Sequence, residues 1–138
     1  MDQVVRAFRV GRETAITQRR PVALVFVPPG EIQLIRNDFD GSTIQIARVV
    51  LEYGGRFMPG LPDTPDRFGA NDAVDFGGSN PVRFLEDGTF ADTAGVPVNG
   101  TVYVGIPNQP RSNRAITITG GTGRPQGYAW SGYQWEEQ

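Results

Sequence analysis

The first twenty positions of the chain carry apolar and small residues at the spacing of an α-helix. They recur at intervals of four, three and four residues, which places them on one helical face. Pro21 ends this pattern, because the residue before a proline disfavours helical geometry. The spacing therefore predicts one helix over about residues 2–20. Its apolar face comprises Val4, Phe8, Gly11 and Ala15, with Val5 and Ile16 beside them.

After Pro21 the pattern changes to short apolar runs and alternating runs rich in β-branched residues, which are typical of strands. Seven glycines and prolines interrupt residues 54–72 and predict a long loop without regular structure. A hairpin loop is predicted at 107–113 and a glycine-rich turn at 120–127. The predicted strands cover residues 22–27, 31–36, 43–53, 82–85, 101–106 and 114–119, with a last strand within 128–135.

These elements predict the α+β fold class, with one long N-terminal helix packed on antiparallel β-sheets. The length of 138 residues is that of a single domain. We therefore expect one domain over residues 1–138, in which the helix is followed by a β head over about 22–135.

The composition excludes much catalytic chemistry. The chain has no Lys, His or Cys, and all thirteen basic residues are Arg. Serine–histidine triads, cysteine nucleophiles, ordinary zinc sites, Schiff-base lysines and disulfides are therefore ruled out. We expect no enzyme, no catalytic residue, no cofactor and no bound metal.

The charge is unevenly distributed along the chain. The net charge is −2 and the isoelectric point is about 5.1, which argues against a nucleic-acid partner. Residues 1–36 hold six arginines against three acids, whereas residues 37–138 hold seven against twelve. The sequence thus predicts a basic helix on an acidic β head.

The acidic residues offer weak candidates for metal binding or acid–base catalysis. The stretch from Asp38 to Gly41 resembles part of a calcium loop, but Arg36 and Ala47 occupy two required ligand positions. A hairpin turn explains it better. Calcium binding by the long loop stays open beside the simpler interpretation of solvated acids, and no carboxylate pair is identified. The acids considered are Asp63, Asp66, Asp72 and Asp75 in the loop region, and Glu31, Glu52, Glu86 and Asp87 elsewhere.

Two further stretches have a functional and a structural interpretation. Residues 120–124 are glycine-rich but follow a strand without opening a helix, so a turn is favoured over a phosphate cradle. The C-terminal aromatic residues either cover an edge of the core or form a sugar-binding surface. These aromatic residues are Tyr128, Trp130, Tyr133 and Trp135.

Three segments in a particular order resemble the GspH/FimT family, the minor pseudopilins of type II secretion and the related minor pilins of type IV pili. Residues 11–22, with Pro21-Val22 at their end, resemble the helix end of that family. Residues 82–89 resemble its strand followed by an Asp-Gly turn. Residues 114–119, followed by Gly123-Arg124, resemble its late strand and Gly-Arg turn.

The resemblance implies a non-enzymatic structural subunit that takes part in protein secretion. It implies a pilin-like domain on the periplasmic face of the inner membrane, with other minor pseudopilins, the pseudopilus and secreted cargo as partners. Family members begin with a leader, a prepilin-peptidase site and an apolar helical half, so the full-length protein would be anchored in the inner membrane before assembly. A complete soluble protein that starts at Met1 is the other interpretation. The helix face expected to pack against neighbouring subunits carries Arg6, Arg9, Val10 and Glu13.

Two other functions are compatible with the sequence. DNA-binding members of the family carry a Gly-Arg-x-Arg motif, and here Gln126 stands at its second arginine. A minor pilin that takes up DNA would therefore depend on Arg124 as its contact. The third possibility is a carbohydrate-binding β domain that uses the C-terminal aromatic residues.

Overall fold

The computed structural model describes residues 3–69, 72–78 and 81–138. Within these ranges the chain forms one helix and eleven strands. The helix is α1 (Gln3–Gln18). The strands are β1 (Val22–Val27), β2 (Glu31–Asn37), β3 (Thr43–Val50), β4 (Arg56–Phe57), β5 (Val74–Asp75), β6 (Val82–Phe84), β7 (Phe90–Ala91), β8 (Gly100–Ile106), β9 (Gln109–Thr119), β10 (Arg124–Trp130) and β11 (Trp135–Glu137).

The strands form two antiparallel sheets. The first sheet has the order β3-β2-β1-β6-β7, and the second has the order β11-β10-β9-β8-β4, with β5 also paired to β8. The first hairpin pairs Val22 with Arg36 and Val27 with Glu31. The β9–β10 hairpin pairs Thr119 with Arg124, so the turn between them is tight.

The predicted fold class is wrong. The chain is mainly β, with 45% of the described residues in strands and 12% in the helix, and it is not a long helix packed on a sheet. The helix ends at Gln18, because Arg19 adopts a positive φ of 53° and Pro21 follows. Sixteen residues at about 1.5 Å each give a length of about 24 Å. Residue 2 of the predicted helix lies outside the described residues.

The positions of most early strands agree with the prediction, whereas the boundaries of several later elements do not. The loop predicted over 54–72 contains β4, which pairs with β8; its residues 70 and 71 lie outside the described residues. The loop predicted at 107–113 is shorter, because Ile106 already pairs with Gln109. The glycine-rich turn ends where β10 begins, and the single last strand is two strands joined at residues 131–134.

The helix inserts its buried stripe into a core to which both sheets contribute. The stripe contains Val4, Ala7, Phe8, Gly11 and Ala15, which confirms the predicted apolar face and adds Ala7. The ring of Phe8 lies 6.4, 6.3 and 5.9 Å, centroid to centroid, from three rings of the first sheet, those of Phe26, Phe84 and Phe90. At Gly11 a Cβ atom would lie 3.1 Å from the Phe84 ring, so the missing side chain lets helix and sheet approach closely.

We expect Phe8→Ala to lower the free energy of unfolding by about 3–5 kcal/mol, because it removes a fully buried ring and leaves a cavity. The matched control is Val10→Ala on the same helix, whose side chain is exposed and whose loss should change stability by less than about 0.5 kcal/mol. Urea unfolding followed by tryptophan fluorescence measures both. Equal effects of the two substitutions would contradict this account of the core.

Candidate functional site

The outer face of α1 is exposed along its length. Arg6, Arg9, Val10 and Glu13 all lie on this side, where the sequence placed them, and together we call them the outer stripe. Ile16 departs from expectation: it was predicted beside the apolar face but is 38% exposed. The helix therefore presents a mixed charged and apolar surface opposite its buried stripe.

A groove runs along the surface where α1 packs beside strand β10. Its first part is a cavity of about 440 Å³ lined by arginines from both walls, Arg9 and Arg12 on the helix and Arg124 on the strand. A second cavity of about 440 Å³ shares Arg9 and continues past Arg6. We call the two together the arginine groove. Its other lining residues are Val5, Glu13, Ile16, Thr17, Pro125, Gln126, Gly127 and Gln138.

Arg12 fixes the geometry of this groove. Its Nε donates a hydrogen bond of 3.0 Å to the Thr122 carbonyl, 110 residues away in the sequence. Gly88 and Gly123 lie against the same guanidinium: a Cβ at either position would come within 3.0–3.1 Å of it. The helix, the Asp87-Gly88 turn and the Gly123-Arg124 turn therefore meet at one side chain. This role of Arg12 was not predicted, although all three segments belong to the stretches that carry the family resemblance.

The electrostatics of the groove differ from those of the rest of the chain. Four arginines face one acid, Glu13, so the groove residues carry a net charge of +3, and the other nine arginines and fourteen acids carry −5. The salt bridges found in the described part of the chain join Arg20 and Arg36 to Asp38, and Arg48 to Glu31. None of them uses a groove arginine, so these guanidinium groups are available to an anionic partner.

The candidate acids outside the groove have structural partners. Arg48 and Gln33 hydrogen-bond to the Glu31 carboxylate and lower its pKa. Asp40 accepts hydrogen bonds from the Ser42 hydroxyl and amide, which lower its pKa. The amide of Thr89 does the same for Asp87. The structure thus supports turn and ion-pair roles for these residues, while Glu52 and Glu86 are simply exposed.

The acids of the long loop also serve local structure. Asp63 accepts from the Thr64 amide, Asp66 accepts from the Thr64 hydroxyl, and Asp75 accepts from the Gly77 amide, while Asp72 is exposed. Within residues 3–69, 72–78 and 81–138, no group of three acids is arranged to hold a metal ion.

The C-terminal aromatic residues divide between a buried cluster and the surface. Tyr128 and Trp135 pack with Tyr103 on the outer face of the second sheet, and the Trp135 Nε1 donates to the Pro62 carbonyl at 2.9 Å. Trp130 is partly exposed beside Trp135, and Tyr133 is 78% exposed. These two buried rings cover the second sheet under the long loop, so they have the structural role rather than the sugar-binding role considered for them.

Comparison of the chain with protein-family models, with curated proteins and with solved structures finds no match. In the part of the chain that the structure describes, no helix has the length and apolar character needed to cross a membrane.

We expect Gly123→Ala to destabilise the junction at Arg12. The φ angle of Gly123 is +67°, and an added Cβ would overlap the Gly88 carbonyl oxygen, so the cost should be at least about 1–3 kcal/mol. Gly121→Ala is the matched control, since nothing lies within 4 Å of a Cβ there. Thermal unfolding of both variants checks this, and an unchanged melting temperature for Gly123→Ala would argue against the junction.

We expect the protein to lose stability at alkaline pH through Tyr103. Burial, followed by the nearby Asp63, raises the pKa of this phenol above its ordinary value of about 10. A raised folded-state pKa stabilises the protein fully below about pH 10, and that contribution is lost as the pH rises further. Urea midpoints at pH 8 and pH 11 should show a smaller loss for Tyr103→Phe than for the unmodified protein.

At pH 8 the Tyr103→Phe variant should be about 1 kcal/mol less stable, because it lacks the hydrogen bond to the Gly69 carbonyl. Tyr133→Phe, at an exposed ring, is the control and should follow the unmodified protein at both pH values. An alkaline loss of the same size in the Tyr103→Phe variant would show that another group is responsible.

Proposed function

We propose that this chain is the globular part of a non-enzymatic structural subunit of a pilus-like secretion assembly, the minor-pseudopilin role that the sequence resemblance implies. The proposal places it on the periplasmic face of the inner membrane, in contact with other minor subunits of the pseudopilus. The observation that carries it is the outer stripe of α1, a continuous exposed face on a helix whose opposite face is locked in the core.

The physical role of the outer stripe follows from its chemistry. Val10 offers apolar contact area that water solvates poorly, while Arg6, Arg9 and Glu13 offer charges of both signs. A neighbouring helix laid along this stripe would bury Val10 and find partners for the charges. Because the buried stripe fixes α1 rigidly, such a contact would require little reordering of this chain.

The absence of Lys, His and Cys supports a role without catalysis. No step in subunit packing needs a nucleophile, a general base or a metal. The acids found in the described residues are held in turns and ion pairs or are exposed at the surface.

The two alternative functions have less support. DNA capture through Arg124 would use the arginine groove, but the rest of the chain carries a net charge of −5 and Gln126 stands in place of a second arginine. A carbohydrate-binding surface would lack two of the four aromatic rings, because Tyr128 and Trp135 are buried in the cluster around Tyr103. Duplex DNA is therefore tested as an alternative ligand in the binding experiment on the groove.

We expect Val10→Cys, labelled with benzophenone-maleimide, to photocrosslink to the other pilin-like subunits of the same organism when these are mixed with the protein. Labelling is confined to this position because the chain has no native cysteine. Arg6→Glu should weaken the crosslink, since it reverses a charge beside position 10.

Tyr53→Cys serves as the matched control. This residue is 87% exposed and lies outside the helix, so it is equally easy to label. Crosslinks of equal yield at positions 53 and 10, or none at position 10, would refute a role of the outer stripe in assembly.

A further inference from the structure

We propose that the arginine groove binds a short acidic segment of a partner protein, with carboxylates on its arginines and an apolar residue against Ile16 and Pro125. This inference deepens the proposed function, on which it rests, by naming the chemistry of one partner contact. The groove shares Arg6, Arg9 and Glu13 with the outer stripe and has strand β10 as its second wall. Val10 belongs to the outer stripe alone, and Arg124 belongs to the groove alone.

The first support is the disposition of charge across the groove. Arg9 and Arg12 project from one wall and Arg124 from the other. Guanidinium groups on two walls can hold carboxylates by paired hydrogen bonds, which are stronger than neutral ones. The Nε of Arg12 donates to the Thr122 carbonyl, and within the described residues its two terminal nitrogens form no hydrogen bond.

The second support is the size of the groove. It follows α1 from Arg6 to Thr17, a helical rise of about 17 Å. An extended peptide covers that length with about five residues at roughly 3.4 Å each. A segment of this size lies wholly within the groove.

The third support distinguishes a peptide from a nucleic acid. The groove side chains carry a net charge of +3, whereas the remaining side chains carry −5, and charges act over about 8 Å at physiological salt. A polyanion that extends beyond the groove would meet this negative surface, whereas a five-residue segment would not. Ile16, 38% exposed, and Pro125 add apolar walls that a phosphate backbone cannot use but a leucine-like side chain can.

The test uses fluorescence anisotropy with a labelled peptide of alternating sequence, Glu-Leu-Glu-Leu-Glu. We expect saturable binding that weakens as salt is raised, and no binding of the neutral Gln-Leu-Gln-Leu-Gln. Arg9→Gln and Arg124→Gln should each weaken binding roughly three- to tenfold. Arg56→Gln, at an exposed arginine on strand β4, is the matched control and should leave binding unchanged.

Several results would overturn the proposal. They are no binding at millimolar peptide, equal binding of the neutral peptide, or binding that is insensitive to both groove substitutions. A 20-base-pair duplex that binds more tightly than the peptide and loses affinity in the same two variants would assign the groove to nucleic acid instead. Unchanged melting temperatures of the variants exclude unfolding as the cause.

The same set of variants separates this proposal from the function on which it rests. Arg124 lies outside the outer stripe, so Arg124→Gln should lower peptide binding and leave the crosslink from position 10 intact. A crosslink without peptide binding would refute the groove proposal alone. Peptide binding without the crosslink would refute the assembly role of the outer stripe alone.

Discussion

Six phenylalanine rings form a continuous cluster through which the helix and both sheets contact one another. Phe8 of the helix meets rings of the first sheet, and Phe26 continues the contact to Phe57 on β4 of the second sheet, 6.0 Å away, and to Phe76. Burial of aromatic area on this scale is a large favourable contribution in a chain that has no cysteine and hence no disulfide. The position of α1, and hence of its outer stripe, depends on this cluster.

The arginine groove is a consequence of that placement. With the helix held by Phe8 and Gly11, Arg12 reaches the Thr122 carbonyl and holds the turn that carries Arg124. Two close glycines, Gly88 and Gly123, are needed there because side chains would occupy the space of the guanidinium. The packing of the helix in the core thus determines, through Arg12, where the charge of Arg124 lies on the surface.

The parts of the fold that could be predicted are those in which side-chain periodicity reports burial directly. The helix stripe shows this, because its apolar residues recur with the helical period, and strand β2 shows it, because Ile32 and Leu34 are buried on one face of an alternating strand. Strand β4 (Arg56–Phe57) was not predicted, because it is defined by pairing with β8, a segment distant in the sequence. The start of β9 at Gln109 was not predicted either, because the solvent-exposed end of this hairpin has the polar composition of a loop.

The sequence by itself determined which chemistry is excluded and which helix face is exposed, since both follow from residue identity and local spacing. It also contained Arg124 and the three segments that carry the family resemblance. Only the tertiary structure decided that the fold is mainly β and that Arg9, Arg12 and Arg124 share a groove. The reason is that the contact between Arg12 and Thr122 spans 110 residues, and closure of the chain over such a distance leaves no periodic signal in the sequence.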